Sequence, residues 1–123
     1  KNMEEIRLLK LFKNDLEKIT LVNAMIEKIK ERYVNVKIIV EEQQIVMKNR
    51  EFLTFCKIRP RFGKQSLVCV MFPLQYFYMG KTTLDAGTYD NRVWWISEKI
   101  NSKEEMEQLL PLMDESYRMK GKR

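Results

Sequence analysis

Histidine is missing from all 123 residues of this chain. Its absence removes Ser-His-Asp and Cys-His machinery and takes away the commonest transition-metal ligand. The two cysteines, Cys56 and Cys69, make neither a disulfide framework nor a zinc spacing. No apolar run approaches the roughly 20 residues needed to span a bilayer; the most apolar stretch, Leu67 to Leu74, is strand-sized. Phosphate-cradling G-x-x-x-x-G-K-[ST], dinucleotide-binding G-x-G-x-x-G and the nucleophile elbow G-x-S-x-G do not occur. Neither does the Glu-x-Lys or Asp-x-Lys pair that a restriction-type nuclease would carry on a strand. The expectation is a chain without catalytic residues, metal or cofactor.

What is present describes a folded domain. Hydrophobic residues make up 45% and charged residues 33%, a globular balance and not that of a disordered tail. The length suits one domain around one core. Because the chain begins with Lys1, and the amphipathic stretch after it does not resemble a signal peptide, we expect a cytoplasmic fragment of a larger protein. The net charge is +6, but Arg118, Lys120, Lys122 and Arg123 crowd the last six residues. That leaves about +2 for the rest, too little by itself to predict nucleic-acid binding.

Periodicity places a helical part at 1–34, a sheet at 36–100, a C-terminal helix at 102–118 and a basic tail at 119–123. Ile6, Leu9, Phe12 and Leu16 recur at helical spacing, with Asn14 and Asp15 as an interruption. A second stripe is Val22, Met25, Ile26, Ile29 and Tyr33, for which Thr20 is placed as N-cap. Strand candidates are 36–40, 45–48, 52–59, 66–72 and 92–100. Ser102 and Glu105 form a capping box before Met106, Leu109, Leu110, Met113 and Tyr117, and Pro111 should bend that last helix.

A turn centred on Phe62-Gly63, with Gly63 at positive φ, would place Ile58 opposite Leu67 and Cys56 opposite Cys69. That pairing would put Cys56, Ile58, Leu67, Cys69 and Met71 on one face. Phe55, Val68, Val70 and Phe72 would share the other with Lys57 and Arg59. Two apolar faces require either helices on both or a partner on one. Opposed cysteines could form a strained disulfide, but without a secretory signal two buried thiols are favoured. Pro60 belongs at an edge or a bulge.

For binding, Arg59, Arg61 and Lys64 cluster around Phe62 at the hairpin tip, with Arg92 further along. Such a tip could hold phosphates and stack a base; equally, it could blunt an edge strand. Trp94 and Trp95 would point to opposite sides of one strand, so one of them is the best candidate for an interface. Asp85 and Asp90 share a glycine-containing loop but match no metal-site spacing.

Several segments together resemble a known family: Ile45-Val46-Met47-Lys48, Phe52 to Pro60, Ser66 to Pro73, Trp94-Trp95-Ile96, Ser102 to Met106 and Leu109 to Met113 before Ser116-Tyr117. The order resembles the C-terminal domain of bacterial "predicted transport proteins", also found attached to restriction-type nucleases. The resemblance covers roughly 21–117 and implies an α+β domain at the end of a longer chain, with no catalytic residue to carry over. The fold expected is an antiparallel sheet of about four to six strands with the N-terminal helices and the C-terminal helix on one face. The function expected first is an accessory interaction domain whose partner is another domain of the same chain, a second protein or a second copy. A nucleic-acid-binding module is the alternative, and no membrane role is expected.

Overall fold

In the computed structural model, which describes residues 2–50, 52–63, 67–73, 89–90, 93–94 and 96–121, Asn2 starts the first helix. Its side chain accepts from the Glu5 amide while the Glu5 carboxylate accepts from the Asn2 amide, satisfying exposed donors reciprocally. Helix α1 spans Met3–Leu11. Lys13 and Asn14 then take φ of 50° and 61°, a left-handed pair that a right-handed helix cannot absorb. Asp15 caps α2, Leu16–Arg32, by accepting from the Lys18 amide. The interruption therefore falls where the sequence placed it, but the cap does not. Thr20 lies within α2, and its hydroxyl donates to the Leu16 carbonyl at 2.8 Å, the i−4 bond open to a helical threonine.

The α2 stripe of Val22, Met25, Ile26, Ile29 and Tyr33 is buried as expected. That of α1 is not: Leu8, Leu11 and Phe12 are buried, while Ile6 and Leu16 are exposed. The left-handed corner resets the helical phase, so a stripe drawn through it selects the wrong side.

Strands β1 (Lys37–Val40), β2 (Ile45–Lys48), β3 (Thr54–Arg61) and β4 (Leu67–Phe72) follow. After them come β5 (Tyr89–Asp90), β6 (Val93–Trp94) and β7 (Ile96–Ile100). Five form one antiparallel sheet in the order β1-β2-β3-β4-β7, and β5 and β6 pair separately. The turn from β2 to β3 is built on Asn49, whose amide bonds the Leu53 carbonyl and whose side-chain oxygen accepts from the Leu53 amide. Its carbonyl accepts from Phe52, which sits at φ 63°.

Two features of β3 overturn the expected hairpin. Arg61 pairs with Leu67, so the connection runs 62–66 and Ile58 faces Val70, not Leu67. Gly63 does take a positive φ, of 159°, but the turn is not two residues long. The shift is odd, and an odd shift exchanges the two faces of one strand relative to the other. Second, Met47 faces Cys56 while Lys48 faces Thr54, leaving Phe55 as the extra residue of a β-bulge. The bulge lets consecutive Phe55 and Cys56 both enter the core. Pro60 lies beyond Ile58, the last β3 residue paired to β2, so its missing amide costs that ladder nothing.

One face of the sheet holds the core; the other mixes cations with Ile39, Leu67 and the buried Val46 and Met71. Val40, Ile45, Met47, Cys56, Ile58, Val68, Val70, Phe72 and Ile100 share the core with residues of all four helices. Ser102 accepts from the Glu105 amide at 3.1 Å and starts α3, Lys103–Gln108. The Glu105 carboxylate reaches the Asn101 amide and the Ser102 hydroxyl. Pro111 does not bend a continuous helix: α3 ends at Gln108 with Leu109 as its C-cap, and α4, Leu110–Gly121, begins with the proline in its first turn, where it has no hydrogen bond to break. Leu112 joins Met106, Leu109 and Met113 in the core. No described helix is long and apolar enough to cross a membrane.

Candidate functional site

The sheet face turned away from the helices carries the charge. Along β3, Lys57, Arg59 and Arg61 occupy alternate positions, about 6.8 Å apart on a strand. They face Met71, Cys69 and Leu67 of β4, and beyond these come Ser97 and Lys99 of β7. On the opposite flank Val46 faces Lys57, Lys48 faces Thr54, and Lys37 faces Lys48. Six cations thus project from one side of five strands. Within those strands that side has no carboxylate; Glu41 lies in the connection after β1.

Among the described residues, Lys37, Lys48, Arg59, Arg61 and Lys99 make no salt bridge. The salt bridges among described residues are Arg32–Asp114 and Arg118–Glu115, neither on this face. Arg59 donates through Nε to Gln44 Oε1 at 2.9 Å, and Gln44 donates in turn to Glu41 at 3.0 Å. This chain orients the guanidinium without neutralising it. Lys37 stands 5.7 Å from the centre of the Phe52 ring, a weak exposed cation–π contact. Lys37 directly opposite Lys48 is a like-charge cross-strand pair, which costs stability. Arg59, Arg61 and Lys37 are exposed, and Lys48, Lys57 and Lys99 are half-buried.

The sequence-level tip cluster is only partly assembled. Arg59 and Arg61 share the outer face, but Phe62 turns to the helix side, where the Lys13 amine lies 4.4 Å from its ring centre. It does not stand with the arginines as a stacking platform. Lys64, Arg92 and Trp95 lie outside the described residues, as do Asp85 and most of 73–92. Trp94 pairs with Tyr89 in the small sheet, and β7 starts only at Ile96, so 92–100 is not one strand. Lys37, Lys48 and Lys99 were missed: each is an ordinary strand lysine until the register is known.

Comparison with known proteins finds no matching family model, no matching curated protein and no matching solved structure. The reading of the chain therefore rests on its own geometry. Among the described residues no group of three His, Cys, Asp or Glu could hold a metal ion.

The cysteines occupy opposite faces. Cys56 is wholly buried, and desolvation pushes its thiol well above the ordinary cysteine range. Cys69 faces Arg59 and lies 2.9 Å from the Ser97 hydroxyl. The expectation of two core thiols holds for Cys56 and fails for Cys69. Native-state thiol labelling should modify one group per chain quickly and the second only on unfolding. Two fast thiols would place Cys56 outside the core.

Proposed function

We propose that the outer sheet face binds the phosphate backbone of a nucleic acid, as the recognition surface of an accessory domain in a larger bacterial protein. The observation that carries this is the segregation of Lys37, Lys48, Lys57, Arg59, Arg61 and Lys99 on one side of the sheet, without a carboxylate in its strands. A modest overall charge becomes a strong local field when one sign is sorted onto one surface. Row spacing along β3 gives a backbone successive contact points, and the interleaved, half-buried Leu67 offers contact without selecting a base. Like-charged Lys37 and Lys48 repel each other in the free chain, so an arriving anion relieves a cost already present.

The test is fluorescence anisotropy with labelled single-stranded and duplex oligonucleotides over a range of salt. Changing Arg59, Arg61 and Lys99 to alanine should weaken binding to both sequence-scrambled and unscrambled probes alike. The slope of log affinity against log salt should become shallower by about 2–3, at roughly 0.7–0.9 per lost phosphate contact. Thermal stability should change little, since these side chains sit outside the core. Salt-independent binding, or a slope untouched by the triple substitution, overturns the proposal.

A further inference from the structure

A different part of the molecule, the free edge of the sheet, has the properties of a self-complementary contact. Among the described residues strand β1 pairs with β2 on one side only, so the outward backbone groups of Lys37–Val40 have no ladder partner there. Beside it, Met3 and Ile6 of α1 line one groove with Ile39 and Glu41, and the α1 cations Arg7 and Lys10 line it too. Met3 is 63%, Ile6 38% and Ile39 39% exposed. Apolar side chains gathered at an unpaired strand edge are a surface that natural proteins either blunt or cover.

We infer that this edge joins a second copy of the same chain by antiparallel β1–β1 pairing about a two-fold axis. The sequence of the strand decides the occupant. Lys37, Ile39 and Glu41 alternate onto one face, since Val40 pairs with Ile45 and the Glu41 amide bonds the Gln44 carbonyl. When the strand is turned end for end with Ile39 on the axis, Ile39 meets its own copy. Lys37 of each chain meets Glu41 of the other, twice over by symmetry, and Ile38 meets Val40 on the core side. Opposite charges and apolar pairs directly across a ladder are the favourable combinations. An isologous contact needs just this property, that a patch match itself after a half-turn. Among the described residues neither Lys37 nor Glu41 makes a salt bridge; the Gln44 bond to Glu41 and the Phe52 ring near Lys37 are exposed contacts that leave both charges unneutralised for pairing across the axis.

The experiment is sedimentation equilibrium of the whole chain, without nucleic acid, at concentrations up to about 1 mM, where even a small interface is populated. The expected result is a reversible monomer–dimer equilibrium. Ile39→Lys, which sets two cations on the axis, should leave monomer only. Lys37→Glu should raise the dimer Kd by about tenfold or more, because it sets two like-charge pairs across the ladder. The double exchange Lys37→Glu with Glu41→Lys restores both ion pairs in reverse and should recover the dimer. Circular dichroism melts of each variant separate loss of pairing from loss of fold. A wild-type chain monomeric throughout, a dimer indifferent to Ile39→Lys, or a double exchange that fails to rescue while remaining folded, overturns the inference. Oligonucleotide binding plays no part in the readout, so its outcome leaves this one unaffected.

Discussion

Replacing Phe55 with alanine is expected to destabilise the protein by about 3–5 kcal/mol, the range for emptying a large aromatic site in a close-packed core. Phe55 is completely buried and is the extra residue of the β3 bulge. Its ring meets those of Tyr33 and Tyr117 edge-on, at centroid distances of 5.4 and 5.0 Å, while the two tyrosines stack at 4.5 Å. Such pairs are worth about 0.5–1.5 kcal/mol beyond the area they bury. The Phe55 carbonyl also accepts from the buried Ser116 hydroxyl at 2.5 Å. One residue thus joins strand β3, the end of α2 and the middle of α4. Urea unfolding measures the loss. A change below about 1 kcal/mol would mean that the bulge does not turn the ring inward.

The second large effect belongs to Asp114. Arg32 donates to both of its oxygens, Nε at 2.8 Å and Nη2 at 2.6 Å, and the Tyr33 hydroxyl donates at 2.5 Å. Two parallel bonds from a guanidinium and one from a phenol are the strong, geometrically fixed kind. They tie the C-terminal end of α2 to α4. Asp114→Ala should cost about 1.5–3 kcal/mol, held to that range because the Arg32 side chain is 38% exposed and screened by water. Asp114→Asn should lose most of the same amount, since the amide cannot accept the fork in both places.

The same cluster sets a pH dependence. Hydrogen bonding from Arg32, above all, holds the Asp114 carboxyl below its usual value of 3.8. The native state therefore binds that proton more weakly than the unfolded chain does. Its contribution is whole above pH 3.8 and is lost as pH falls through the lowered native value. Tyr33 acts at the other end: burial, then the bond to Asp114, pushes its phenol above the usual 10.0. Its contribution is whole below that value and is lost as pH rises. Asp114→Ala should flatten the acid limb of the stability profile; an unchanged limb would assign it to other carboxylates.

The parts legible in the sequence are those set by short-range chemistry. Strand β2 was bounded correctly by composition alone, the α2 stripe by its period, and the start of α3 by Ser102 and Glu105. The antiparallel sheet with helices on one side followed from their order. The register of β3 against β4 was not legible, because Pro60 to Gln65 admits more than one loop length, and only cross-strand packing selects among them. The bulge at Phe55 was hidden for a related reason: strict alternation assigns neighbouring residues to opposite faces, while here the aromatic site between Tyr33 and Tyr117 outweighs alternation. The candidate face depended on both. With the expected register, Lys57 and Arg59 shared a side with Val68 and Val70, and no cationic surface emerged. Only the odd shift gathers them with Lys99.

That separation has a consequence for how the protein can change. Beyond the bulge on β3, from Leu67 to Val70 on β4, and at Lys99 and Ile100 of β7, the side chains that hold the helices to the sheet and those that meet the surroundings alternate, so there the two sets are independent coordinates of variation. Arg59, Leu67 and Lys99 could be randomised together in a display library while Ile58, Val68, Val70 and Ile100 keep the scaffold folded. The outer lattice of β3, β4 and β7 is in that sense a rewritable array with a fixed pitch, about 4.8 Å across strands and 6.8 Å along them. New specificities selected on it would inherit their spacing from the backbone and not from the residues chosen.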